Sequence, residues 1–134
     1  MLESKAVNRW RDWWEQALLD LRHAGHSVEA GDYEWASFAA HQAAEKALKA
    51  VLMKAGGEPW GHLLTAFVEG WRDLEPAAST ILDTARRLDK HYLPTRYPNG
   101  FPEGYPGKLY TRREALDAIA DARTIVDFCR RAVP

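Results

Sequence analysis

The sequence has little cysteine, no long apolar run and almost no net charge. Cys129 is its one cysteine, which excludes an intramolecular disulfide and a Cys-x-x-Cys zinc pair. No apolar run approaches the roughly 20 residues that cross a bilayer, and residues 1–8 carry both charge signs instead of the apolar core of a signal peptide. We therefore expect a cytoplasmic protein that is neither exported nor embedded in a membrane.

The net charge of −1 argues against a protein that coats nucleic acid in general. The charges are nevertheless segregated, because residues 86–113 contain seven basic side chains and two acidic ones. The basic residues are Arg86, Arg87, Lys90, Arg96, Lys108, Arg112 and Arg113, against Asp89 and Glu103. An excess of five positive charges favours attraction of a phosphate-bearing ligand to this segment. The alternative is a solvated helix end followed by a loop.

The spacing of apolar residues predicts helices and no strand. Steps of three and four residues mark helices over residues 3–23, 33–55, 62–71 and 76–91, and a last helix from Thr111. The first helix is predicted to stop near Gly25, and Asp32 is the candidate N-cap of the second. Thr111 and Glu114 form a Thr-x-x-Glu capping box, the clearest helix start in the chain.

These helices predict an all-α fold of one domain, residues 1–134, built as an antiparallel up-and-down bundle of four longer helices plus a short one. Residues 93–110 break the pattern, because four prolines and four aromatic residues alternate there and no helix is expected at that spacing. Long structureless loops in compact domains are often functional. We expect this loop to lie against the bundle or against a second subunit.

Two stretches carry a family resemblance. Residues 39–56 read AAHQAAEKALKAVLMKAG and residues 88–98 read LDKHYLPTRYP, with Gly-His-Leu at residues 61–63 between them. Together they resemble the small stand-alone HEPN (higher eukaryotes and prokaryotes nucleotide-binding) proteins. The resemblance implies a helical bundle that is commonly a homodimer and is often encoded beside a minimal nucleotidyltransferase as a toxin and antitoxin pair. It further implies binding of, or action on, RNA or nucleotides.

Several families of the wider HEPN superfamily are metal-independent ribonucleases with an Arg, four to six residues, His motif. This motif maps onto Arg86 and His91, where His can move a proton near neutral pH and Arg can stabilise charge on the phosphorane. The chain departs from the pattern with Arg87 after Arg86 and a tyrosine directly after His91. On a straight helix Arg86 and His91 point about 140° apart, whereas Arg87 and His91 share a face. The catalytic candidates are thus His91, Arg86 and Arg87.

Further basic and aromatic residues are candidates for binding RNA or a nucleotide: Lys90, Arg96, Tyr97, Lys46 and Lys49. Lys46 and Lys49 alternatively form a solvated helix face. Arg96 and Tyr97 lie in a loop, where functional groups concentrate, although Tyr97 alternatively fills the core. We expect no metal and no cofactor. The rival to a ribonuclease is a non-catalytic module that binds a nucleotide or a nucleotidyltransferase.

Overall fold

The structure is a computed structural model that describes residues 7–133, and it contains six α-helices and no strand within that range. The helices are α1 (Trp10–Glu29), α2 (Tyr33–Lys54), α3 (Leu64–Trp71), α4 (Leu82–Asp89), α5 (Pro106–Leu109) and α6 (Arg112–Arg130). Two 3-10 segments, Pro76–Ile81 and Pro98–Gly100, precede α4 and α5. The all-α prediction is confirmed.

Helix α2 forms the centre of the bundle. It packs most extensively on α1 and α6, while α3 and α4 pack on each other, α3 also against α2 and α4 also against α6. The buried face of α2 is rich in alanine, and its fully buried alanines are Ala36, Ala40, Ala43, Ala44, Ala47 and Ala50. Side chains this small let neighbouring helices approach closely, so α2 contacts helices on several sides.

The first helix differs from its prediction at both ends. Residues 7–9 are not helical, and the predicted residues 3–6 lie outside the described part of the chain. The helix also continues past Gly25 to Glu29, where Ala24, Ser27 and Val28 are buried. A glycine inside a helix costs about 1 kcal/mol relative to alanine, and burial of this last turn offsets that cost. Asp32 is at the N-cap position of α2, but its side chain makes no capping hydrogen bond.

The segment from Pro76 to Tyr110 also differs in detail. The helix predicted over residues 76–91 consists of the 3-10 segment followed by the shorter α4. The proline-rich loop was expected to hold no helix, yet it contains a 3-10 turn and the one-turn α5, each with proline at its first position, where proline is tolerated. The capping box of α6 is present as predicted: Thr111 Oγ1 accepts from Glu114 N, and Glu114 Oε1 accepts from Thr111 N, both at 3.1 Å.

Candidate functional site

A cleft of about 630 Å³ opens between the segment that precedes α3 and the segment that follows α4. Its walls are formed by the Gly-His-Leu segment at residues 61–63, by the family-like stretch at residues 88–98 and by the loop that follows this stretch. The lining residues are His62, Leu63, Asp89, Tyr92, Leu93, Pro94 and Gly100. The cleft thus joins a histidine, a carboxylate and a tyrosine to an apolar rim, a combination common in ligand sites.

Asp89 joins α4 to the start of α3. Its carboxylate accepts hydrogen bonds from Leu64 N at 2.8 Å, from Thr65 N at 3.0 Å and from Thr65 Oγ1 at 2.7 Å. Burial alone would raise the pKa of Asp89, but the nearby His41 imidazole and these hydrogen bonds outweigh it and hold the pKa below its ordinary value. Asp89 is therefore an anion that caps α3 from another helix.

His41 lies beneath this cap and is fully buried. Its Nε2 is 3.4 Å from Asp89 Oδ1, an ion-pair distance whose geometry falls short of a hydrogen bond, so this buried nitrogen has no hydrogen-bond partner in the described chain. The centroid of its ring lies 5.1 Å from the ring centroid of Tyr92. The sequence predicted that His41 lies in the alanine-rich helix. It did not indicate that the carboxylate of Asp89, far along the chain, lies beside His41.

His62 was also not predicted as a site residue. Its ring stacks on Tyr92, with centroids 4.8 Å apart and planes 16° apart. His62 Nδ1 lies 2.9 Å from Glu45 Oε1, and Lys49 Nζ donates to Glu45 Oε2 at 3.2 Å. The Gly-His-Leu segment that resembles the family was the one sequence feature that pointed to His62. The sequence did not reveal the partner of His62, Glu45, which is 17 residues away and only 3% exposed.

Arg96 is the cation beside Tyr92. Its Nε and Nη2 donate to the carbonyl oxygen of Tyr92 at 3.0 and 2.7 Å. The guanidinium carbon lies 4.3 Å from the ring centroid of Phe38, 4.6 Å from that of Tyr92 and 5.1 Å from that of Tyr97. No carboxylate of residues 7–133 forms an ion pair with Arg96. Three aromatic rings thus hold in place a positive charge that the described chain does not neutralise.

Comparison with known proteins identifies the fold family. The model of the HEPN domain matches residues 10–132. This chain belongs to the HEPN family. The comparison with curated proteins gave no match.

Solved structures resemble nearly the whole of this HEPN chain. TT1696 from Thermus thermophilus is 42% identical with a TM-score of 0.90, and the match covers 95% of this chain and 100% of TT1696. ST0689, described as an archaeal HEPN homologue, is 36% identical with a TM-score of 0.78 over 93% of this chain and 98% of its own. The HEPN domain protein tm0613 from Thermotoga maritima is 33% identical with a TM-score of 0.71 over 90% and 95%.

Among residues 7–133 no hydrogen bond joins either arginine that matches the HEPN ribonuclease motif to its histidine. Arg86 pairs with Asp83 at 2.6 Å, and Arg87 donates to both carboxylate oxygens of Asp121 at 3.0 and 2.9 Å. This paired carboxylate raises the pKa of Arg87 through its hydrogen bond and its charge. Both guanidinium groups therefore form ion pairs with carboxylates on the surface of this HEPN bundle.

His91 points toward α5 and α6 instead. Its Nδ1 lies 2.8 Å from the hydroxyl oxygen of Tyr110, a residue that is 8% exposed. Burial lowers the pKa of His91, only partly offset by the charge of Glu114. Burial likewise raises the pKa of Tyr110, which keeps its hydroxyl protonated. His91 is thus a neutral imidazole at pH 7 with a phenol as its partner.

The predicted binding residues fall into two groups. Lys46 pairs with Asp20 at 2.5 Å, and the largely buried Lys49 pairs with Glu45, so neither lysine is a freely solvated charge. Lys90 is exposed, and Tyr97 is 50% exposed, so Tyr97 does not fill the core. Only Arg96 and Tyr97 of the predicted set come together beside the cleft.

The basic excess of the HEPN chain near α4 is smaller in the folded protein than in the sequence. Asp83, Asp121 and Asp117 lie outside residues 86–113 and pair with Arg86, Arg87 and Arg113, which lowers the local excess from five to two. Among residues 7–133 no three His, Cys, Asp or Glu side chains are grouped as metal ligands. None of the described helices combines the length and apolarity needed to span a membrane.

Proposed function

We propose that this HEPN protein binds RNA or nucleotides in the cleft beside Tyr92, with Arg96 as the residue that meets phosphate. The observation that carries the proposal is the unneutralised guanidinium of Arg96, fixed by a carbonyl and three aromatic rings. Arg86 and Arg87, by contrast, are already paired with carboxylates. A pre-positioned arginine loses little conformational freedom on binding phosphate, and Lys90 adds a second charge on the same segment.

Binding should therefore depend on Arg96 and on salt. We expect Arg96→Ala to weaken the affinity for a short RNA or for ATP roughly ten-fold, and to lower the slope of log affinity against log salt by about one. Fluorescence anisotropy across a salt series measures both quantities.

Arg113→Ala is the matched control for this measurement. Arg113 lies in the same basic segment but is exposed and paired with Asp117, so its loss should change the affinity less than about two-fold, the small effect typical of surface pairs. Equal affinities of wild type and Arg96→Ala, or an affinity that does not respond to salt, would refute the binding site.

We further propose that the bound RNA is cleaved without a metal, with His91 as the base. Its lowered pKa leaves the imidazole neutral at pH 7, which is the state a general base requires. Arg86 and Arg87 remain proposed as groups that stabilise phosphate charge, and they must release Asp83 and Asp121 to do so. Lys46 and Lys49 remain proposed contacts of a longer RNA.

A second candidate function is a non-catalytic module that binds a nucleotide or a nucleotidyltransferase as in toxin and antitoxin pairs. The ion pairs of Arg86 and Arg87 favour it, because the guanidinium groups of both motif arginines are already occupied by carboxylates. Salt-dependent binding without RNA cleavage by the wild-type protein is the result that selects this function.

We also propose that the protein is a homodimer, because large apolar side chains are exposed in the described chain. Leu63 and Leu93 at the cleft are 56% and 59% exposed, and Tyr105 in the loop is 57% exposed. Two-fold association is the commonest way to cover such surface. Sedimentation velocity at micromolar concentration should give the mass of a dimer, and Leu93→Asp should shift it toward monomer, whereas a wild-type monomer would contradict the prediction.

A further inference from the structure

Glu45 and His62 form a carboxylate and imidazole pair with one end buried and the other in the cleft. Glu45 is 3% exposed, whereas the His62 side chain is 52% exposed and lines the cleft. We infer that His62 is the general acid of this HEPN site and that Glu45 positions it. The inference rests on the RNA-directed function proposed above and adds to it a residue outside the Arg and His motif.

The contacts of the pair determine which ring nitrogen is left for a ligand. With Nδ1 donating to Glu45 Oε1 at 2.9 Å, Nε2 is the nitrogen of His62 that remains for a bound molecule. Stacking on Tyr92 limits rotation of the ring. A buried carboxylate behind an imidazole fixes its orientation and tautomer, the arrangement that proton-transferring histidines commonly use. Lys49 holds the other oxygen of Glu45 and so fixes the carboxylate itself.

His62 and the proposed phosphate-binding group, Arg96, both pack on Tyr92. The ring centroid of His62 is 4.8 Å from that of Tyr92, and the guanidinium carbon of Arg96 is 4.6 Å from the same point. A phosphodiester bound by Arg96 therefore lies beside the tyrosine on which His62 stacks. Glu45 is buried, so His62 is the member of the pair that can touch RNA.

The chemical step needs two proton transfers. The 2′-oxygen of the RNA attacks the adjacent phosphorus and forms a P–O2′ bond, and its proton passes to the base, the role proposed for His91. The P–O5′ bond breaks, and the departing 5′-oxygen takes the proton from Nε2 of His62. The products are a 2′,3′-cyclic phosphate and a 5′-hydroxyl, and the two histidines regain their starting protonation by exchange with water.

The leaving group provides a test specific to a general acid. An RNA whose bridging 5′-oxygen is replaced by sulfur releases a thiolate, which departs without a proton. We expect the His62→Gln variant to cleave the oxygen substrate roughly a hundred-fold or more slowly than wild type. The same variant should cleave the sulfur substrate about as fast as wild type. His91→Ala should be slow on both substrates, because a base is needed for either.

Further variants separate a chemical role from a structural one. The amide introduced by His62→Gln retains a donor for Glu45, so the melting temperature of this variant should stay near that of wild type. Glu45→Gln should change the 15N shifts of the His62 ring and lower kcat more than it changes KM. Equal rates of His62→Gln and wild type on the oxygen substrate, or the same loss on both substrates, would overturn the assignment. Wild type that binds RNA but cleaves neither substrate would also overturn it, yet would leave the binding proposal standing.

Discussion

Replacing Asp89 with asparagine is expected to lower the free energy of unfolding by roughly 2–4 kcal/mol at pH 7. The substitution weakens the cap of α3, a feature worth about 1 kcal/mol. It also removes the negative charge that accepts three hydrogen bonds from Leu64 and Thr65, and hydrogen bonds to charged groups contribute about 1.5–3 kcal/mol. Urea denaturation of the two proteins, followed by circular dichroism, measures the difference.

The pH dependence should identify the carboxylate as the source of this loss. Because the pKa of Asp89 is lower in the folded protein, its contribution is present above the unfolded value of about 3.9 and disappears as the pH falls through the folded value. The difference between wild type and Asp89→Asn should therefore shrink at acid pH. Asp83→Asn is the control, since Asp83 lies on the same helix, is 81% exposed and pairs with an exposed arginine. An equal loss from both substitutions would contradict this account.

Replacing His91 with alanine is expected to reduce cleavage of RNA in EDTA by roughly a hundred-fold to ten-thousand-fold, the usual contribution of general acid and base groups. The pKa of His91 is lowered by burial, and a base is active when deprotonated. The acid limb of kcat/KM against pH should therefore have its midpoint below about 6.5, the ordinary value for histidine.

The control for this prediction is His23→Ala, because His23 is exposed on α1. Cleavage by His91→Ala at the wild-type rate would exclude His91 as the base. Intact RNA after incubation with the wild type would instead favour the non-catalytic module. Tyr110→Phe is expected to have a smaller effect, since it removes one partner of the imidazole and leaves the ring buried.

Local patterns in the sequence predicted those features that depend on neighbouring residues. The capping box at Thr111 and Glu114 and the extent of α2 are both set within a few turns of helix, and both were found. The end of α1 was missed because Gly25 was weighed as a helix breaker without knowledge of the burial that follows it. Tertiary burial commonly overrides such a propensity.

The candidate site depends on pairs that are distant in the chain. Arg87 meets Asp121 across 34 residues, and Asp89 meets Thr65 across 24. The periodicity of a single segment does not show which acidic side chain pairs with which basic one. The unpaired positive charge near α4 was therefore overestimated from the sequence. The sequence selected Arg96 because of its loop, but it could not predict His62, whose importance comes from a buried carboxylate on another helix.

The alanine face of α2 limits how this protein can change over evolutionary time. Six alanines there have no exposed surface, and overpacking at such a position must displace a neighbouring helix at a cost of roughly 1–3 kcal/mol. A single domain of this size has only about 5–15 kcal/mol of stability to lose. Random variants that survive selection should therefore accumulate on the outer faces of α1 and α6, while α2 drifts slowly and keeps small residues even where the function of the cleft changes.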